Sequence, residues 1–443
     1  MKPVQPTEHC DVLVIGGGPG GSTAATLLQR RGWKVIQLEK DRHPRFHIGE
    51  SLLPGNLPIF EELGVLDKVR ALGVLKLGAD FQCGTGSYQS FYFRDALGKT
   101  APHAFQVGRA QFDQMLFEHA RANAVDARDG IIVERVAADG IDAVVAVARP
   151  MASTDAFSVR ARYVVDASGR ETLLGNAFKI KRRNPAHQSA AIFAHFHRVD
   201  ARPGENAGNI SIYHFDYGWC WFIPLREGVM SIGCVCWPEY LKRRRGHNRE
   251  FLLDTLAKIP GAWARLSGAE MISEVRVTGN YSYSCERMAG PGWIMVGDAY
   301  TFVDPVFSSG VFLAMHSASR AAVLIDACLR EPGREAALQA AFARRVRRGV
   351  RVFSWFIYRF NTSVMRGMFA RPDNFLRVED AVVSMLAGDV FENRAVLRRV
   401  WLFKLIYSMI SLRHAGRWIG DRIARRRHAR YRFSGGTTPV DPH

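Results

Sequence analysis

The stretch DVLVIGGGPGGSTAATLLQRRGWKVIQLEK, residues 11–40, leaves the chain few ways to fold. Val12–Ile15 is a short run rich in β-branched residues, Ser22–Arg31 consists of helix formers, Gly32 closes the helix and Val35–Leu38 is a second strand. Gly16, Gly18 and Gly21 then fall where a βαβ turn needs them: the first for the tight turn, the second for close approach of backbone to a pyrophosphate, the third for helix-on-sheet packing. Glu39 ends the second strand, where its carboxylate can accept hydrogen bonds from ribose hydroxyls. Glycine spacing alone is weak evidence. With both strands, the helix and the acid in register, a nucleotide site is expected.

At 443 residues the chain can bury two or three packed units, and its 47% apolar and 23% charged content is that of a soluble globular protein. Seven scattered cysteines lack metal-ligand spacing, so free thiols in a reducing compartment are expected, with no metal site. The polar N-terminus shows no secretory signal, which suggests a cytoplasmic protein. Net charge is +18, and from Glu331 onward 22 Lys and Arg stand against 9 Asp and Glu. That balance favours an acidic partner. No nucleic-acid-binding motif accompanies it, which leaves an acidic protein or an anionic lipid surface.

Residues 73–93 and 189–278 alternate β-branched and aromatic residues with polar ones and are expected to form one antiparallel sheet, a substrate domain inserted twice into a nucleotide domain of residues 1–72, 94–188 and 279–330. Residues 331–443 read as a helical, basic region. Its most apolar part, residues 400–412, is shorter than the ~18 residues of a spanning helix, so no transmembrane segment is expected; a buried or surface-lying helix, with peripheral membrane contact, fits better.

Three further segments narrow the cofactor. GRAQFDQML (residues 108–116), RYVVDASGR (162–170) and GWIMVGDAYTFVDPVFSSGVFLAMHSA (292–318) resemble, in that order, recurring segments of FAD-dependent aromatic hydroxylases and their relatives. The resemblance implies that Arg109 contacts FAD, that Asp298 contacts its ribityl or pyrophosphate region, and that the helix N-terminus at Ser309 and Gly310 faces the flavin ring. Such an N-terminus suits an anion. The fold class is therefore α/β: a Rossmann-type FAD-binding domain, an inserted antiparallel-sheet domain and a helical C-terminal region.

GWCWFIPL, residues 218–225, sets Trp219 and Trp221 on one face of a strand. Together with Ile223 and Pro224 it matches the WxWxIP signature of flavin-dependent halogenases, which share the hydroxylase scaffold. VLKLGADF (residues 74–81) places Lys76 where that family keeps its catalytic lysine, and HIGESLLP (47–54), with Glu50 and Ser51, resembles its flavin-side loop. The likeness spans residues 11–318. It implies FAD used as FADH2 from a separate flavin reductase, chloride or bromide bound near Ser309 and Gly310, and hypohalous acid passed to a small aromatic substrate through Lys76.

The chemistry needs such residues. An oxidant formed at a flavin survives only where water is scarce, and bulky indoles exclude both water and organic substrate from the ring. A lysine between Leu75 and Leu77 would be desolvated and its pKa lowered, making the amine a nucleophile or a tuned proton donor. Where tryptophan halogenases carry a glutamate before Ser-Thr-Gly, this chain has Phe307 in DPVFSSGV, which favours a phenol or pyrrole that supplies its own electrons. The basic C-terminal region also allows a substrate tethered to an acidic carrier protein. His214 and Asp216 are weaker candidates for a ring-deprotonating base. The competing readings are a flavin hydroxylase, an isoprenoid reductase at a membrane, and a non-catalytic flavin scaffold.

Overall fold

The computed structural model describes residues 5–413 apart from 84–86, 99, 140–142, 245 and 371–373; the remainder of the basic C-terminal region expected from the sequence, 414–443, lies outside the described residues. Strand β1 (Gln5–Ile15), helix α1 (Pro19–Gln29) and strand β2 (Val35–Glu39) form the βαβ unit. β1 pairs in parallel with β2 on one side and with Phe157–Asp166 on the other; Asp126–Asp129 and Trp293–Met295 extend the parallel run outward. Strands Ile131–Asp139 and Ala143–Pro150 add an antiparallel hairpin to Phe157–Asp166. Because parallel strands are covered on both faces, β2 is buried at all five positions, and β1 contributes Val12, Leu13 and Val14 with no exposure.

The long helix Ser309–Arg330 packs along α1 and fills this core with Val311, Met315, Ala318, Ala322 and Ile325. Among the described residues it alone has the length and hydropathy of a membrane span, and most of it is buried. Its apolar character serves the protein interior.

Among the described residues the second sheet has nine strands. Lys181–His197 sits between Arg276–Cys285 and Met230–Cys236, followed by Gly218–Pro224, Ile210–Phe215, Gly78–Gln82 and Tyr88–Tyr92. Pairing is antiparallel except where Ile210–Phe215 meets Gly78–Gln82. The strand holding Lys76, Gly73–Lys76, is not part of this sheet. It pairs with Ala104–Val107 as a separate two-stranded ribbon, so that ribbon joins residues from both sides of the boundary drawn at residue 93.

Helices Glu335–Ile357, Ser363–Ala370, Val378–Leu386 and Arg394–Arg413 lie over the second sheet. Phe353, Phe356, Phe360, Phe369 and Phe403 pack into one cluster with Phe81, Phe91, Trp219, Trp221 and Ile223 from the strands. The opposite face of the sheet is covered by the helix Asn248–Ala257 and packs Cys220, Phe222, Cys234 and Cys236. All seven cysteines are free.

Candidate functional site

A cleft of about 340 Å³ runs from the glycine turn, across the C-terminal ends of the parallel strands, to the tryptophan pair. At the turn each glycine has a distinct reason. Gly16 adopts φ +112°, and a Cβ there would sit 2.3 Å from the Ala167 carbonyl oxygen; a Cβ on Gly21 would sit 2.0 Å from the Gly16 oxygen. At Gly18 the nearest atom would be Arg45 Nη2 at 3.6 Å, so space remains in front of the α1 N-terminus for a phosphate. Glu39 is buried at the end of β2, where one carboxylate oxygen accepts the Gly17 N–H at 2.5 Å and the other the Asp41 N–H at 2.9 Å.

Arg109 is buried and forked onto Asp113, with Nε–Oδ1 2.8 Å and Nη2–Oδ2 3.0 Å, while Nη1 donates to the Ile48 carbonyl at 2.8 Å. Burial alone would raise the Asp113 pKa; the Arg109 and Arg45 guanidiniums hold it below the usual carboxylate value. Arg109 therefore lines the cleft and also pins the loop carrying His47, Glu50 and Ser51 against the cofactor wall. Asp298 lines the same cleft. Burial pushes its carboxyl up to about 6, partly offset by Arg170 and Arg109.

At the far end the cleft is bounded by Ile210, Trp219, Trp221 and Ile223 on the sheet side and by Pro305, Ser308, Gly310 and Val311 on the other. The indoles lie side by side, with centroids 5.7 Å apart and planes at 49°. Their placement is built into the strand pairing: Trp221 stands opposite Gly233, where a Cβ would lie 2.3 Å from the indole, and Trp221 Nε1 donates to Ser231 Oγ at 3.3 Å. Ser308, at φ +56°, turns the chain into the helix Ser309–Arg330. Added carbon at Gly310 would meet nothing within 4 Å, so the helix N-terminus opens onto the cleft, while the Ser309 side chain is buried away from its lining.

Lys76 is 2% exposed. Its Nζ donates to Ser51 Oγ at 2.9 Å and to the Leu52 carbonyl at 3.0 Å, and lies 5.2 Å from the Phe93 ring centroid. Burial lowers its pKa to about 7. Lys76 does not itself line the cleft, whereas Ser51 does; one hydroxyl thus separates the amine from the cofactor space. The sequence pointed to Ser51 as a cofactor contact; its bond to the amine is a tertiary contact.

Not every residue singled out from the sequence faces the cleft. Phe307 is buried against Phe360 and Phe369, behind the wall, and Pro224 ends its strand opposite Met230. Gly21 is packed inside the turn. His214 lies against the Phe360 ring, its centroid 4.5 Å away, and burial with the Arg366 charge lowers its pKa to about 3, so it is neutral and a weak base. Sequence reading passed over Asp304, which accepts from Ser189 Oγ at 3.2 Å and from the Val306 N–H at 3.3 Å and fixes the turn before the helix Ser309–Arg330. It also passed over His195, whose Nε2 lies 2.7 Å from Glu50 Oε1 while Glu50 Oε2 is buried without a partner among the described residues. The Asp-Pro pair at residues 304–305 was the available signal for the first; nothing local marks the second.

The residues fit a flavin dinucleotide: room at Gly18 for phosphate, a buried acid at the end of β2 and, on the cleft-lining residue Glu50, a buried oxygen without a partner among the described residues. Among the described residues no cluster of His, Cys, Asp or Glu is arranged to hold a metal.

Residues 9–355 match the family model of an FAD binding domain. The chain is 36% identical to a tryptophan 2-halogenase of Chondromyces crocatus over 72% of its own length and 61% of that protein's. It is 28% identical to a 1H-pyrrole-2-carbonyl-[peptidyl-carrier protein] chlorinase of Pseudomonas fluorescens over 87% of this chain and 90% of the chlorinase. Among solved structures, a flavoprotein/dehydrogenase from Cytophaga hutchinsonii superposes with TM-score 0.84 at 30% identity, covering 92% of this chain and all of that one. The myxobacterial chondrochloren halogenase, described as an FAD-dependent halogenase variant, superposes with TM-score 0.74 at 32% identity over 89% and 96%.

Proposed function

The chain belongs to the flavin-dependent halogenase family, and on that premise we propose that it halogenates a small electron-rich aromatic, delivering hypohalous acid through Lys76. The observation that carries this reading is the wholly buried Lys76 amine, bonded to Ser51 on the cleft wall, with its pKa lowered to about 7. A structural surface lysine would lie in water at its ordinary pKa. Reduced FAD with O2 supplies the oxidising equivalent that turns chloride or bromide into hypohalous acid.

The chain's own residues do the rest. Gly16 and Gly18, with the N-terminus of α1, would hold the pyrophosphate, and Glu39 the ribose; Arg109 and Asp298 would hold the middle of the cofactor, and Glu50 its ring end. Gly21 keeps the turn closed. The open N-terminus at Ser309 and Gly310 would hold the halide through backbone N–H groups. Trp219, Trp221 and Ile223 keep water and substrate from the ring; Phe307 packs in the same cluster behind them, and Pro224 ends their strand. Ser51 stands where the small oxidant must pass, and Lys76 receives it. As a half-protonated amine near pH 7, Lys76 can hold hypohalous acid by a hydrogen bond, or attack its halogen to form a haloamine as the oxygen–halogen bond breaks and water leaves.

Phe307 in place of a carboxylate favours a phenol or pyrrole over free tryptophan. The pyrrole chlorinase, named for a carrier-bound substrate, supports a tethered substrate here as well. A separate flavin reductase would supply FADH2, and the seven free thiols suit a cytoplasmic setting.

The test is an assay with FADH2, O2 and chloride or bromide against phenols, pyrroles and tryptophan, free and carrier-bound. Halogenated phenol or pyrrole is expected, with little turnover when NADH replaces FADH2. Hydroxylated product independent of halide would return the enzyme to the hydroxylases; preferential halogenation of free tryptophan would overturn the substrate reading.

A further inference from the structure

The helix Arg394–Arg413 is apolar on two faces. Val396, Val400, Phe403 and Tyr407 are buried against the second sheet's covering helices. On the other side Trp401 is 65% exposed, Leu405 42%, Met409 49% and Leu412 76%. At 100° per residue these four side chains fall within about 80° of the helix circumference and span about 16 Å along its axis. Exposed Arg394 and Arg398 extend the same stripe toward the helix start, and Lys404 and Arg413 border it. A neighbouring turn presents Phe375 and Leu376, 64% and 59% exposed, and is tied to the helix by Arg399 Nε donating to the Leu376 carbonyl at 3.1 Å. In sequence the next residues, 414–432, outside the described part of the chain, contain seven arginines and one aspartate.

Soluble surfaces carry scattered apolar side chains; a contiguous stripe of this kind marks a contact surface. Indole and aliphatic groups bordered by cations match the boundary between headgroups and acyl chains in an anionic bilayer. A folded acidic partner would answer a bounded cluster of charge. Here the basic residues run along the helix and on through residue 432, the pattern drawn to a continuous anionic surface. We propose that the helix Arg394–Arg413 docks this protein on an anionic membrane surface, lying in its plane with Trp401, Leu405, Met409 and Leu412 in the acyl boundary.

The experiment is co-sedimentation of the full-length, flavin-loaded chain with vesicles of phosphatidylcholine alone or mixed with phosphatidylglycerol, repeated with added salt and with the double variant Trp401→Glu/Leu412→Glu. Both substituted side chains are exposed, so the fold and flavin content should be unchanged. The expected result is binding to the anionic vesicles, weakened by salt and reduced about tenfold or more in the variant. Equal binding by native and variant chains would overturn the apolar role of the helix. A native chain that stays in the supernatant with anionic vesicles, while pairing with an acidic carrier protein, would overturn the membrane assignment in favour of a protein partner.

Discussion

The glycine turn and the lysine compartment are the two ends of one site, built on opposite plans. At the turn, function comes from missing atoms: Gly16 and Gly21 have no room for a Cβ, and Gly18 leaves room for a ligand. Around Lys76 the space is filled instead, with Ser51, Leu52 and Phe93 closing over an amine that water would otherwise keep fully charged. The first end needs only local backbone geometry. The second requires strands and helices from distant parts of the chain to meet, and is correspondingly sensitive to what packs behind it.

The contrast predicts how each end fails. Gly21→Val should have the largest effect, because the new Cβ meets backbone oxygen and cannot be relieved by a rotamer change; flavin absorbance of the purified variant should be lost. Trp221→Ala should destabilise the fold by about 3–5 kcal/mol in chemical denaturation, since Gly233 opposite leaves a hole that no side chain fills. Ser51→Ala should keep flavin and lower halogenation about 10–100-fold. A drop in flavin affinity matching the loss of rate would make Ser51 a cofactor residue only.

A further effect concerns pH. Burial holds Lys76 near 7 in the folded chain against 10.5 in the unfolded one. Between those values the unfolded chain binds the proton that the folded chain has released, so stability rises with pH across that window. Lys76→Met should flatten this part of the stability profile measured by thermal denaturation from pH 7 to 10. An unchanged slope would mean that the amine is solvated in solution. The activity profile separates the two chemistries open to Lys76: a hydrogen-bonding ammonium loses rate as pH rises through 7, a nucleophilic amine as it falls.

How much of this could be read from residues follows the same division. The βαβ unit and its glycines were legible because each signal lies within 30 residues and obeys local rules. Trp219 and Trp221 were legible as a shared face because strand periodicity dictates it. Lys76 was recognisable from its resemblance to a family, yet its neighbours were not: it leaves the large sheet for a separate ribbon, and Ser51, its partner, lies 25 residues away. The C-terminal region read as helical from its apolar spacing and as basic from its charge. The buried faces of its helices, with Phe353, Phe356 and Phe360, cover the tryptophan wall, a tertiary role that no charge count reveals.

The most direct measurement compares native chain and Lys76→Ala for halogenated product formed per FADH2 consumed, with the substrate panel and halide saturating. The native chain should couple the two; the variant should still bind FAD and consume FADH2, while product falls about 100-fold or more and peroxide or free hypohalous acid appears instead. Equal coupling in both proteins would contradict delivery through the buried amine.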